Sequence, residues 1–119
     1  MSQIKPFRAV YYNQEKIDDL SKVVCPPYDV ISKEEQIRYY GAHPYNFIQI
    51  LLGFDRKSDR SYDNKYTRAR KTFEDWLKKE ILKEDSQSCI YYYKQEYVIH
   101  GEKHSRVGFI ALMRLQDNK

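Results

Sequence analysis

Val23-Val24-Cys25-Pro26-Pro27-Tyr28-Asp29-Val30-Ile31-Ser32 separates a β-favouring beginning from a helical continuation, and the rest of the chain is read outward from it. Adjacent prolines fix φ at both positions and remove two backbone donors. Each also drives its predecessor toward extended geometry, so residues 25–27 form neither helix nor central strand. The sequence leaves the isomer of both imide bonds open. Valines and an isoleucine on either side predict that the bend is packed into the body of the fold. It would then present Tyr28 and Asp29 on a stiff, half-buried loop, the kind of place where binding and catalytic groups gather. The same residues also suit a plainer role, with Asp29 bracing a turn and Tyr28 filling core.

Ahead of this bend, Pro6-Phe7-Arg8-Ala9-Val10-Tyr11-Tyr12 alternates as a first strand does, and Ile17 to Leu20 suits a short helical turn. Behind it, Ser32-Lys33-Glu34-Glu35 has capping-box spacing and predicts a helix over residues 33–40, with Gly41 as a left-handed stop and Pro44 preventing continuation. The apolar run Asn46-Phe47-Ile48-Gln49-Ile50-Leu51-Leu52 predicts a strand buried on both faces, followed by an exposed loop over 53–59. From 61 to 82, Tyr62, Tyr66, Ala69, Phe73, Trp76, Leu77 and Ile81 recur at helical spacing and place one apolar face on a long helix. Residues 90–99 and 106–115 read as two strands joined through His100-Gly101-Glu102-Lys103-His104. The predicted fold is α+β. A small mixed β-sheet carries the long helix on a face, and a short capped helix follows the Pro-Pro loop.

The chain has 119 residues, of which 41% are hydrophobic and 32% charged, enough for one domain with a real core. Twelve tyrosines are the compositional oddity; tyrosine favours strands and amphipathic surfaces. A net charge of +4 admits an anionic ligand or nucleic acid without requiring either. Cys25 and Cys89 lack the close pairing of zinc sites and read as reduced thiols of a cytoplasmic protein. No apolar run is long enough to span a bilayer, which takes roughly 18 residues or more, and the start Met1-Ser2-Gln3 is no signal peptide.

Arg8, Asp29 and His43 form the chemical constellation. An arginine fork offers paired donors to phosphate or carboxylate, an aspartate serves as base or metal ligand, and a histidine moves protons near neutral pH. Together they would suit a small anionic molecule. His100 and His104 have no third partner that would make a metal site and read as turn histidines. Basic residues on the long helix would contact phosphates, but Asp59, Asp63, Glu74, Asp75 and Glu80 are interspersed with them, which argues against nucleic acid.

Pro6-Phe7-Arg8-Ala9, then Val24 to Ser32, then His43-Pro44-Tyr45-Asn46 resemble, in order and spacing, the N-terminal part of the bacterial and archaeal family called domain of unknown function 1015. The long helix, the tyrosine-rich strand and Arg106-Val107-Gly108 look like its continuation. Family members are longer, so the resemblance implies that residues 1–119 are a single domain at the start of a larger protein. It also implies a distant likeness to the ParB and sulfiredoxin-like fold, whose members bind nucleotides or phosphates and include free serine kinases. That fold's Gly-x-x-Arg signature, matched in the family by a Gly-His-His-Arg motif in its later part, is absent here. The expectation is an enzyme portion binding a small phosphorylated or carboxylated metabolite, with phosphoryl transfer as one suitable reaction. Asp29 and His43 would be its catalytic candidates, and Arg8, Pro26, Pro27, Tyr28 and Asn46 its ligand-binding candidates. No metal or cofactor is named by the residues. The alternative is a non-catalytic module binding nucleic acid or a protein.

Overall fold

A computed structural model of the chain describes residues 3–115. In chain order the elements are β1 (Ile4–Lys5), β2 (Val10–Tyr12), α1 (Lys33–Ala42), α2 (Ile48–Leu51), α3 (Lys65–Lys78), β3 (Leu82–Glu84), β4 (Tyr91–Ile99), β5 (Glu102–Ile110) and β6 (Leu112–Met113). The fold is α+β, as expected. Its strands form three two-stranded sheets, β1 with β6, β2 with β3, and β4 with β5. The chain divides into two compact units: the described parts of Met1–Val10 and Glu84–Lys119, and Tyr11–Lys83.

The Tyr11–Lys83 unit holds the helices. At the start of α1, Ser32 Oγ accepts from the Glu35 N–H at 3.2 Å and Glu35 Oε1 accepts from the Ser32 N–H at 3.3 Å, closing the expected capping box. Gly41 does not stop the helix. α1 runs on through Ala42 and ends where His43 turns extended, with φ −163° and ψ 142°. The physical reason is Pro44, which disfavours helical geometry in the residue before it.

Residues 46–52 are not a strand, because the chain forms α2 there instead. Asn46 Oδ1 accepts from the Ile48 N–H at 2.9 Å and the Phe47 N–H donates to Val23 O at 2.7 Å, which turns the chain before any strand can extend. Ile48 is completely buried, and α2 packs against α1 and α3. α3 is shorter than its apolar pattern, since Asn64 caps it by accepting from the N–H groups of Tyr66 and Thr67 at 2.9 and 3.2 Å. Its inner face packs Phe73, Trp76 and Leu77 with Ile17, Val23, Ile81 and Leu82, joined by Tyr12 and Tyr45. Trp76 meets Tyr45 edge to face, with centroids 5.5 Å apart.

In the other unit the antiparallel hairpin of β4 and β5 dominates. Its connection is tighter than expected. His100 and Gly101, with φ of 50° and 79°, form a two-residue turn of the primed kind, so Glu102 to His104 already belong to β5. His104 therefore stacks on Tyr97 across the ladder at 5.5 Å rather than sitting in a loop. β5 ends at Ile110, and β6 pairs separately with β1. The single strand expected over 6–12 is likewise interrupted, Phe7 contributing only a bridge to Cys89 before β2 begins.

Candidate functional site

Of the apolar residues around the proline pair, Val23 alone reaches the core, at 0% exposure. Val24, Val30 and Tyr28 are 54%, 62% and 63% exposed, so the bend is less embedded than its composition suggests. Tyr28–Val30 forms a short helical turn in which the Val30 N–H donates to Pro27 O at 3.1 Å, and this swings the apolar side chains outward. No peptide bond among the described residues is cis. Cys25 is half-buried, and burial pushes its thiol upward, away from the thiolate a nucleophile needs.

Asn46 anchors this bend. The residue is 1% exposed, and its Nδ2 donates to Lys22 O at 2.8 Å and to Val24 O at 3.1 Å. With Oδ1 engaged by Ile48, its polar groups are committed to the backbone. His43 Nδ1 accepts from the Tyr45 N–H at 2.9 Å, which leaves Nε2 as the ring nitrogen available to carry a proton outward. Asp29 lies in the exposed Tyr28–Val30 turn; among the described residues its carboxylate has no salt-bridge partner. Arg8, in the other unit, donates from Nε to Asp85 O at 2.6 Å and pairs with Glu84 Oε1 at 3.2 Å. Among the described residues its two terminal nitrogens make no such contact.

Of the candidates in the Tyr11–Lys83 unit, Tyr28 lines a cleft of about 340 Å³ whose other walls are Ile50, Leu51, Leu52, Gly53, Lys65, Tyr66 and Ala69. The volume suits a small ligand. Gly53 sits against α3 at the edge of this cleft: a Cβ built there would stand 3.4 Å from Lys65 Cβ, an ordinary van der Waals contact. Lys65 and Gly53 also border an adjoining recess of about 170 Å³ that contains Tyr40, Arg56 and Arg68. The combined groove is apolar on the α2 side and basic toward the start of α3.

The groove's cations are not equally available. Arg68 is spent on Asp59, with Nη1 to Oδ1 at 2.7 Å and Nη2 to Oδ2 at 3.2 Å, and on Phe54 O at 2.8 Å. Arg68 in turn holds the Asp59 carboxyl down to about 2. Lys65 Nζ faces Asp55 at 3.4 Å, but the Asp55 side chain is 80% exposed, a weak and exchangeable partner. The first N–H groups of α3 are already taken by Asn64, so a negative ligand would depend on the Lys65 side chain rather than on the helix end. Burial keeps the Tyr40 phenol protonated by pushing it upward. Sequence reasoning missed Lys65, Gly53 and Ile50 as a group, because only the packing of α2 on α3 joins them.

Elsewhere on α3, Arg70 pairs with Glu74 at 3.1 Å and Lys79 with Asp75 at 3.0 Å, so the basic face is largely self-neutralised. Among the described residues no group of three His, Cys, Asp or Glu could hold a metal ion, and no helix is long and apolar enough to cross a membrane.

The fold and groove define a small α+β protein with a partly basic cleft between two packed helices. The chain belongs to the family described as Protein of unknown function (DUF1015), which it matches over residues 4–119. No curated protein and no solved structure matches it.

Proposed function

We propose that the Tyr11–Lys83 unit binds a small phosphorylated or carboxylated metabolite with an apolar portion, as the binding part of an enzyme. The observation that carries this reading is the shared cleft. Tyr28, from the doubly proline-stiffened bend, faces the same 340 Å³ space as Lys65 and the apolar residues of α2. A half-exposed wall of Ile50, Leu51 and Ala69 would take the apolar portion, Lys65 the anion, and the Tyr28 phenol a hydrogen bond. Asp29, next to Tyr28, and His43 through Nε2 are the proton-handling candidates; Arg8 belongs to the other unit and is not assigned to this cleft. Phosphoryl transfer is the reaction class such a set would serve. Pro26, Pro27 and Asn46 act by fixing the bend.

Phenyl phosphate, which joins one anion to one apolar ring, is the probe of choice. It should raise the melting temperature in a concentration-dependent way, because a ligand that binds the native state alone stabilises it. Benzyl alcohol, which lacks the charge, should not, and Lys65→Ala should abolish the shift. No shift with phenyl phosphate, or an equal shift in Lys65→Ala, would refute the reading.

A further inference from the structure

The hairpin of β4 and β5 is a nine-residue ladder with no third strand among the described residues. Isolated two-stranded hairpins are marginal in water, and an uncovered edge offers a row of backbone donors and acceptors to another strand. This one also exposes apolar side chains on its β4 strand, with Tyr92 62%, Tyr97 39%, Val98 64% and Ile99 48% exposed.

The sequence of β4, Tyr91-Tyr92-Tyr93-Lys94-Gln95-Glu96-Tyr97-Val98-Ile99, is complementary to itself when reversed about Gln95. In an antiparallel pairing of two copies with Gln95 opposite Gln95, Lys94 of each chain lies opposite Glu96 of the other. Tyr92 then meets Val98, Tyr93 meets Tyr97, and Tyr91 meets Ile99. Directly opposed opposite charges and aromatic or β-branched pairs are the combinations that stabilise strand pairing. A two-fold axis at Gln95 makes the contact isologous, so it closes at two copies rather than growing into a fibre. Within one chain Lys94 Nζ and Glu96 Oε1 already lie 3.2 Å apart on the same face of the strand, both well exposed. Two copies would join these pairs into one alternating four-charge network. A central lysine and glutamate discourage pairing with an unrelated apolar strand yet favour this one, which makes the charges a device of specificity.

We infer that β4 is a homodimerisation edge, pairing antiparallel with β4 of a second copy about Gln95 to give a four-stranded sheet.

Charge reversal with mixing tests the register as well as the edge. In Lys94→Glu, two glutamates from different chains oppose each other; in Glu96→Lys, two lysines do. Each variant alone should be monomeric by analytical ultracentrifugation, with the dimer weakened about tenfold or more. An equimolar mixture of the two should form a heterodimer, because every cross-strand charge pair is then attractive although the pair within each chain stays repulsive. The double variant Lys94→Glu/Glu96→Lys should dimerise as the wild type does, and it covers the event that a single variant fails to fold. A monomeric wild type, single variants that dimerise unchanged, or a mixture or double variant that stays monomeric would each overturn the inference.

Discussion

The Asn46 side-chain nitrogen stands 3.1 Å from the Val24 carbonyl oxygen, tying the residue ahead of the Cys25-Pro26-Pro27 segment to the turn that starts α2. The same amide reaches Lys22 O and its oxygen receives the Ile48 N–H, so one buried side chain satisfies backbone groups on two segments. Asn46→Ala should therefore cost at least about 2 kcal/mol, the desolvation of groups left unpaired, read as a lower urea midpoint. A change below about 0.5 kcal/mol, typical of a surface site, would show that the anchor carries little.

Gly41 gives a prediction of opposite sign. It lies inside α1, and a Cβ there meets nothing within 4 Å. Gly41→Ala should stabilise the protein by about 0.5–1 kcal/mol through reduced backbone freedom in the unfolded chain. Had the glycine ended the helix in a left-handed conformation, the same substitution would destabilise, so the sign of the change in urea midpoint separates the two.

The pair of Asp59 and Arg68 sets an acid limit. The guanidinium hydrogen bonds hold the Asp59 carboxyl at about 2, below its ordinary value of 3.8. A carboxyl held down in the folded state contributes stability that is fully present above its unfolded value and is lost as pH falls through the folded one. The difference in melting temperature between wild type and Asp59→Asn should be constant from neutral pH to about pH 5, then shrink toward pH 2. A difference that persists unchanged at pH 2 would mean the side chain acts through shape alone.

Where the physics was local, the sequence was legible. The capping box of Ser32 and Glu35, the apolar face of α3 and the existence of the β4–β5 hairpin all rest on spacing within a few residues. α2 was not, because its four residues are too few for a helical period to show, and Ile, Leu and Phe favour strands as readily. What turns the chain there is a single buried asparagine bonded to residues more than 20 positions earlier. Tyr28 was singled out by the stiffness of its surroundings. Its companions Lys65 and Gly53 carried no local signal, since a lysine at the first turn of a capped helix and a glycine before a charged loop are each ordinary. Val24 and Val30 have core-like composition yet are 54% and 62% exposed; Val30 lies in the Tyr28–Val30 helical turn, which a reading of the bend as extended does not anticipate.

The cleft itself is tested most directly by an amide NMR titration with phenyl phosphate. Saturable shifts should cluster at Tyr28, Gly53, Lys65 and Ala69 and vanish in Lys65→Ala, whose unperturbed spectrum serves as the control for folding. Absent shifts, or shifts gathered on residues outside that cleft, would contradict the account.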